Sequence, residues 1–308
     1  MAANIKLWIH AFRLHTLPLA ASGILLGNII ALGLGNFNWS IFLLSLLTAI
    51  LLQILSNLAN DYGDTKHGVD NPDRVGPDRI MQSGKVSVAG MKKMLGIFIA
   101  LCLLVGILLL VVSLPVIGWT AFIILLITGL ASIWASYNYT ASKNPYGYKG
   151  WGDLFVFIFF GLVCVFGAYY LQTGLFNPMA ILAAAGIGFY SAAVLNINNL
   201  RDMETDIKTG KNSIPVILGK KGGRIYHLTL LLLGSISFLV FGWFFFVHPF
   251  QFIFLTPILA ILINSLEVYR DIPPQQMTGN LKKMSLLTLM LVISFGLSLL
   301  ILKCPNLK

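Results

Sequence analysis

The chain has 308 residues, of which 57% are hydrophobic and only 10% charged, and its mean hydropathy is +0.84. Soluble domains carry about 25% charged residues, so this composition excludes a soluble globular protein and indicates many membrane spans. The three cysteines are Cys102, Cys164 and Cys304, and they are scattered without paired spacing. We therefore expect neither a disulfide framework nor a zinc site.

Nine apolar segments are long enough to cross a bilayer, which takes about 20 residues in a helix. Their approximate limits are Leu17–Leu34, Trp39–Leu58, Met94–Leu114, Val116–Tyr137, Leu154–Leu171, Met179–Leu200, Leu228–Val247, Phe250–Leu266 and Leu286–Leu302. The sequence thus predicts an all-α, polytopic membrane protein with nine transmembrane helices, folded as one integral-membrane domain over residues 1–308.

The connecting turns alternate between short neutral ones and long charged ones. Of the 21 lysines and arginines, 19 fall on one side of this topology, and only Lys303 and Lys308 fall on the other. Cytoplasmic loops carry the excess of Lys and Arg, so the N-terminus is expected in the cytoplasm and the C-terminus outside it. Nothing resembles a nucleic-acid-binding module, so the pI of about 9.6 reflects topology and not a nucleic-acid partner.

Two polar stretches interrupt the apolar pattern on the charged side, in predicted motif loops at about 59–93 and 201–224. The first stretch follows the second span and contains Asn60, Asp61 and Asp64. Positions four apart share a helix face, so Asn60 and Asp64 can act together at the end of a helix. The second stretch follows the sixth span and repeats the pattern with Asn198, Asp202 and Asp206.

These carboxylates need a cation. The C-terminal end of a helix is the negative end of its dipole, and clustered carboxylates repel one another. A divalent cation removes both penalties, and a ligand set of oxygens alone favours Mg²⁺, Mn²⁺ or Ca²⁺. We expect Asp61, Asp64, Asp202 and Asp206 to bind the metal. The alternative is a solvated acidic loop without a ligand.

Basic and aromatic residues accompany both acidic stretches and suit a phosphate-bearing substrate, because Lys and Arg stabilise a leaving phosphate together with a metal. Taken singly, each of these basic residues is explained more simply by a salt bridge within its loop. The candidates for substrate binding are Lys66, Arg79, Tyr139, Lys143, Arg201 and Lys211.

These motifs resemble those of the UbiA-type intramembrane prenyltransferases. That family carries NDxxDxxxD after its second helix, DxxxD after its sixth and Tyr-x-x-x-Lys in the turn between the fourth and fifth helices. Here the matching stretches are Asn60–Asp64, Asp202–Asp206 and Tyr139–Lys143. The third carboxylate of the first motif would fall at Gly68, and either Asp61 or Asp70 takes its place. The runs Asp73–Arg79, Gln82–Gly84 and Asn196–Asn212 are similar to the bacterial branch that prenylates 1,4-dihydroxy-2-naphthoate.

The resemblance implies an enzyme of the bacterial inner membrane. It would transfer a polyprenyl group from polyprenyl diphosphate to 1,4-dihydroxy-2-naphthoate, releasing CO₂ and diphosphate and giving demethylmenaquinone. Mg²⁺ is implied as the cofactor, as two ions, with Mn²⁺ as a substitute. Asn60 and Asn198 would orient ligands in that site.

Two alternatives stay open at this point. A sister enzyme would use 4-hydroxybenzoate or another acceptor, and a membrane transporter would use the same polar groups for binding. Transporter sites usually lie near the bilayer midplane, and the predicted spans carry no carboxylate, Lys or Arg at that depth.

Overall fold

The computed structural model describes residues 2–70, 75–77, 79–270 and 272–301. Within these ranges all regular structure is helical, and there is no strand, as the composition predicted. Lys303, Cys304, Lys308 and three residues of the run Asp73–Arg79, namely Asp73, Arg74 and Asp78, lie outside the described residues.

Ten α-helices follow one another along the described chain. They are α1 Ala2–Phe12, α2 Leu17–Gly33, α3 Trp39–Lys66, α4 Val88–Asn138, α5 Gly152–Val156, α6 Gly167–Thr173, α7 Pro178–Lys208, α8 Ile214–Phe245, α9 Leu255–Tyr269 and α10 Pro274–Ile301. A π-helix, Phe157–Phe166, joins α5 to α6, and short 3₁₀ turns occupy Leu14–Thr16, Tyr146–Lys149 and Pro249–Phe254.

Eight helical segments are long and apolar enough to cross a membrane, so the described chain is a multi-pass membrane protein. One of them, α4, has 51 residues. A straight helix of that length would measure about 77 Å, far more than the roughly 30 Å of a hydrocarbon core.

A break in the helix at Gly118 explains how α4 can be longer than the hydrocarbon core is thick. Its φ of 72° and ψ of 171° are not helical. Met91 near one end of α4 and Tyr137 near the other pack in the same hydrophobic cluster, so the helix doubles back on itself at the break. The two arms correspond to the predicted third and fourth spans, and the described chain crosses nine times.

The centre of the bundle is α7, which packs closely on α8 and on the π-helix. Small residues make this possible: a Cβ on Gly161 would lie 2.6 Å from the Cα of Gly188, and one on Gly186 would lie 2.8 Å from the ring of Phe238. Without a hydrophobic driving force in lipid, such close backbone approach supplies much of the helix association. The rigid centre fixes the end of α7, where the second motif lies.

Both motifs lie on helices rather than on loops. The second span continues to Lys66 and the sixth to Lys208, so helical structure extends several residues into both predicted motif loops. Two residues beyond each helix lies a glycine of positive φ, Gly68 after α3 and Gly210 after α7, with φ of 72° in both. We call this end of the bundle, where α3 and α7 finish, the motif end.

Replacing Gly118 by alanine should destabilise the protein by about 1–3 kcal/mol, because its backbone conformation is essentially restricted to glycine. Unfolding in detergent micelles, followed by the loss of helical circular dichroism, measures the change. Gly96 is the matched control, since it lies within the first arm of α4 with nothing near its added Cβ. Gly96→Ala should instead raise stability by roughly 0.5–1 kcal/mol. Equal effects of both substitutions would contradict the turn at Gly118.

Candidate active site

A cavity of about 360 Å³ runs from the motif end into the bundle. Its deep part is apolar and is formed by α2, α3, both arms of α4 and the π-helix. We call its polar end the mouth. Eight of the twelve predicted site residues line the cavity: Asn60, Asp64, Arg79, Tyr139, Asn198, Asp202, Asp206 and Lys211. Asp61, Lys66, Lys143 and Arg201 are not among its lining residues.

Asp64 is held by three different side chains. Asn60, one helical turn earlier, donates its Nδ2 to Asp64 Oδ2 at 2.8 Å. The hydroxyl of Tyr148 donates to Asp64 Oδ1 at 2.8 Å, and Arg79 Nη2 lies 3.6 Å from Oδ2. The predicted pairing of Asn60 with Asp64 is therefore present, and the carboxylate is almost fully buried.

Asn60 also connects two arginines. Its Oδ1 accepts from Arg79 Nη1 at 2.9 Å and from both terminal nitrogens of Arg13 at 3.1 Å. Arg13 follows α1 in a left-handed conformation, with φ of 50° and ψ of 59°, which is uncommon for any residue other than glycine. This turn between α1 and α2 brings its guanidinium to the mouth. In the sequence Arg13 was counted only as a topology charge.

The second motif pairs each carboxylate with a cation from the same stretch of sequence, one residue away for Asp202 and five residues away for Asp206. Arg201 Nε and Nη2 each donate to one oxygen of Asp202 at 2.7 Å, and Nη2 also donates to Asn198 Oδ1 at 2.8 Å. Asp206 Oδ1 lies 3.4 Å from Lys211 Nζ. Arg201 thus acts on the carboxylate beside it and does not face the cavity.

Lys211 and Tyr148 join the two motifs. Lys211 Nζ lies 5.6 Å from the centre of the Tyr148 ring, whose hydroxyl contacts Asp64. Burial alone would lower the pKa of Lys211, but the carboxylates of Asp64 and Asp206 outweigh it and raise that pKa above its ordinary value. Burial, then Asp64, raises the pKa of Tyr148. Lys211 therefore stays cationic and Tyr148 stays a donor.

The remaining predicted residues lie around the mouth. Asp61 is buried on the other side of α3, where the backbone amides of Ile80 and Met81 hydrogen-bond to it. Lys66 is exposed, and its Nζ lies 5.9 Å from the centre of the Tyr62 ring. Lys143 is exposed. Asp61 thus ties the loop after α3 to the helix.

The turn between α4 and α5 lies directly on α3. A Cβ on Gly63 would come within 2.4 Å of the Thr140 backbone, so only glycine allows this approach. Thr140 donates its hydroxyl to the carbonyl of Ala59 at 3.1 Å. This contact presents Tyr139 and Tyr148 to the mouth.

Aromatic rings form one wall of the cavity just inside the mouth. The rings of Tyr146 and Phe155 are stacked, with centroids 4.0 Å apart, and Tyr139 and Phe159 extend the row on either side. All four line the cavity. Burial raises the pKa of both Tyr139 and Tyr146, so their phenols stay neutral and present electron-rich faces.

The donor chemistry of the mouth fits Mg²⁺, because it offers carboxylate and amide oxygens without thiolate or imidazole. Among the described residues, no group of three or more His, Cys, Asp and Glu is close enough to hold an ion alone. Mg²⁺ is usually bound by one or two carboxylates together with substrate phosphates and water. The arrangement therefore suits an ion that arrives with a phosphate-bearing ligand.

The fold and the site define an intramembrane helical bundle whose apolar cavity ends in a mouth of carboxylates, cations and aromatic rings. The model of the UbiA prenyltransferase family matches residues 20–301, and the chain belongs to that family.

Two curated relatives are similar over nearly their whole length. The 1,4-dihydroxy-2-naphthoate octaprenyltransferase of Escherichia coli (strain K12) is 40% identical over 281 residues, 91% of each chain. The protein of the same name from Haemophilus influenzae is 39% identical over 303 residues, 97% of each chain.

A solved structure shares the fold. It is that of a UbiA homolog from Archaeoglobus fulgidus bound to DMAPP and Mg²⁺, which aligns with a TM-score of 0.60 over 96% of this chain and 100% of that one, at 19% identity.

Proposed function

We propose that this protein transfers a polyprenyl group from polyprenyl diphosphate to 1,4-dihydroxy-2-naphthoate, with loss of CO₂ and diphosphate. The product would be demethylmenaquinone in its dihydroxy form. The observation that carries the proposal is a single cavity with two chemically different ends. Its deep part suits an isoprenoid tail, and its mouth suits a diphosphate. The names of the curated relatives support the naphthoate as acceptor.

We propose that the whole chain is one domain of the bacterial inner membrane. The motif end would face the cytoplasm, and the excess of basic residues on that side supports this orientation. The N-terminus would then be cytoplasmic and the C-terminus extracytoplasmic.

Charge balance explains why a divalent cation is needed. Five described carboxylates lie in or beside the mouth, and they belong to Asp61, Asp64, Asp70, Asp202 and Asp206. Four described cations lie near them, and they belong to Arg13, Arg79, Arg201 and Lys211. A diphosphate would add several negative charges to a site that has no cationic excess. When bound, Mg²⁺ would supply the missing positive charge and would act as a Lewis acid on the diphosphate.

We assign the metal to Asp64, Asp202 and Asp206, which line the cavity from two helices. Carboxylates on separate helices favour two ions, and Mn²⁺ would be a substitute with similar ligand preference. Asn60 and Asn198 would orient the carboxylates next to them. Asp61 stays a predicted ligand, but its contacts with the loop after α3 favour a role in holding that loop.

The chain's own groups would hold and shield the substrate. Lys211 and Arg79 line the mouth and can bind diphosphate oxygens as charge builds on them. Breaking the bond from carbon to diphosphate leaves an allylic cation beside the aromatic wall. Ring faces attract cations, so Tyr139, Tyr146 and Phe155 would stabilise this cation and keep water away from it.

The acceptor needs no enzyme nucleophile. The naphthoate ring carbon that bears the carboxylate forms the new bond to the prenyl carbon, and the electron pair of the bond to the carboxylate restores the aromatic ring as CO₂ leaves. The acceptor's carboxylate requires a cation, for which Arg79, Lys143 and Arg201 were the sequence candidates. Arg13 fits this role too, because it lines the cavity and its guanidinium lies at the mouth, where it donates to Oδ1 of Asn60.

Incubating purified membranes with polyprenyl diphosphate and a panel of aromatic acids tests the function. We expect turnover of 1,4-dihydroxy-2-naphthoate with release of CO₂, no turnover of 4-hydroxybenzoate, and no activity after chelation of Mg²⁺. A product that keeps its carboxyl group, or preference for 4-hydroxybenzoate, would favour the sister branch. Transport of either substrate without a chemical product would favour the transporter alternative.

Replacing Asp202 by asparagine should lower kcat by about a hundredfold or more and raise the Mg²⁺ concentration needed for half-maximal activity, because one ligand charge is lost. Asp61→Asn is the matched comparison. Its effect should fall mainly on the melting temperature, since its carboxylate contacts loop amides. The reverse order, with the larger loss of Mg²⁺ affinity in Asp61→Asn, would assign the metal to Asp61.

The prenyl tail would pass between the arms of α4. Gly106 lies 12 residues before Gly118 and Gly129 lies 11 after it, so the two glycines stand at the same height in the hairpin. That height is about 18 Å from the turn, within the hydrocarbon core. Both line the cavity, and a Cβ added to either meets nothing within 4 Å. Ile107 and Leu130 beside them are 47% and 48% exposed, so the cavity opens towards lipid here.

Filling this opening should make the enzyme sensitive to tail length. Gly106→Leu and Gly129→Leu should lower kcat/KM for an octaprenyl donor about tenfold or more, because overpacking costs roughly 1–3 kcal/mol, and should leave a geranyl donor nearly unaffected. Gly96→Leu is the control, since Gly96 lies on the same helix but does not line the cavity. Equal losses with both donors would mean that the tail takes another path.

A further inference from the structure

A second, smaller cavity lies at the motif end, between α1 and the segment that leads into α4. Its volume is about 310 Å³. We call it the outer pocket. Among the described residues, its polar lining consists of Lys6, His10, Arg79, Ser83 and Lys85. The proposed reaction uses only one of these residues, Arg79.

The outer pocket is positively charged. None of the described carboxylates lines it, and Lys6 and Lys85 are exposed without an ion-pair partner among the described residues. Gathering like charges without a counter-charge is unfavourable, and an anion removes the penalty. The lysines and the histidine come from different segments, so the fold and not a run of sequence brings them together.

Arg79 is the wall between the outer pocket and the mouth, because it lines both cavities. On the inner side its Nη1 donates to Asn60 at 2.9 Å and its Nη2 lies 3.6 Å from Asp64 Oδ2. It is 6% exposed. A charge bound in the outer pocket therefore acts on a guanidinium that already contacts a proposed metal ligand.

The remaining lining favours a lipid phosphate over a free one. Leu7 and Ile80 also line the outer pocket, and inorganic phosphate makes no favourable contact with aliphatic side chains. The surface beside it exposes Ile9 and Leu14, by 44% and 51%. Cations next to exposed aliphatic side chains are typical of segments that lie in the headgroup region of a membrane. A phospholipid presents a phosphate and acyl chains at that same depth.

We propose that the outer pocket binds the phosphate of an anionic phospholipid headgroup, and that its occupancy strengthens metal binding at the mouth through Arg79. Arg79 and a metal ion both carry positive charge and both lie near Asp64, so they oppose each other. A phosphate in the outer pocket attracts the guanidinium away from Asp64 and leaves that carboxylate to the metal. The activity part of this proposal depends on the proposed function, whereas the lipid-binding part does not.

The experiment compares the protein in nanodiscs of phosphatidylcholine with and without phosphatidylglycerol. Native mass spectrometry measures the phosphatidylglycerol that each protein molecule retains, and an activity assay measures the Mg²⁺ concentration for half-maximal turnover. We expect retained phosphatidylglycerol and an Mg²⁺ requirement lowered about fivefold, at the low end of the usual coupling between two sites.

The double substitution Lys6→Gln with Lys85→Gln should abolish both effects and leave turnover in pure phosphatidylcholine unchanged. The control is Lys92→Gln with Lys93→Gln, which removes the same charge from exposed positions in the first turns of α4, outside the outer pocket. The control protein should behave as the unaltered one does. Equal loss in both double variants would assign the effect to general surface charge and overturn the pocket.

Inorganic phosphate added to phosphatidylcholine nanodiscs separates the two sources of the anion. No change in the Mg²⁺ requirement supports the lipid. A shift as large as that given by phosphatidylglycerol would overturn the lipid and assign the outer pocket to soluble phosphate. If the protein proved inactive on every acceptor, retention of phosphatidylglycerol by the unaltered protein and its loss in the Lys6 and Lys85 variant would still decide the binding site.

Discussion

Buried charge must be paired, and this constraint shapes the motif end of the bundle. Asp64, Asp202 and Asp206 are each almost fully removed from solvent, and each has a cation beside it. Breaking a buried pair by removing one partner costs about 3–5 kcal/mol. The pairs therefore fix the ends of α3 and α7 together with the segments that follow them, and Tyr148 from the turn before α5 contacts both Asp64 and Lys211. A ligand that enters the mouth has to exchange partners with these groups, and a metal carrying phosphate oxygens can do so without leaving a charge unpaired.

The sequence predicted the fold well, because hydropathy and glycine act locally. Nine spans followed from apolar length alone, and the turn at Gly118 agrees with the predicted boundary between the third and fourth. The extent of the motif helices was underestimated. Apolar periodicity ends where the membrane ends, whereas α3 continues to Lys66 and α7 to Lys208.

The site was predicted less completely than the fold, since side-chain partners depend on contacts between distant segments. Helical spacing correctly paired Asn60 with Asp64. It could not indicate that Arg13, 47 residues away, reaches the same amide through a left-handed turn. Nor could a count of basic residues separate Lys211, which is buried in the mouth, from Lys143, which is exposed. The signal available for Tyr148 was only its place in the charged turn after the fourth span.

Gly68 lies at a position of the family motif and also where the chain leaves a helix. The family motif has a carboxylate there, and the substitution first suggested a missing metal ligand. In the structure Gly68 ends α3 with φ of 72°, after which Val69 donates its backbone N–H to the carbonyl of Asp64 at 2.8 Å. Gly210 ends α7 in the same way, and Lys211 donates to the carbonyl of Asp206 at 2.9 Å. Glycine adopts this conformation without strain, so each chain turns out of its helix at the glycine four residues after an aspartate.

This shared ending also explains how the two motifs differ in chemistry. The residue that follows each glycine donates its backbone N–H to the main-chain carbonyl of the aspartate five residues earlier. In the second motif that residue is Lys211, so the backbone turn delivers a cation to Asp206. In the first motif it is Val69, which lines the cavity without charge, and the cation has to come from Arg79 in the following loop. The first carboxylate thus depends on the loop after α3, which Asp61 ties to the helix through the amides of Ile80 and Met81, whereas the second depends on its own helix end. The first motif is therefore the one through which events outside the mouth can reach the reaction.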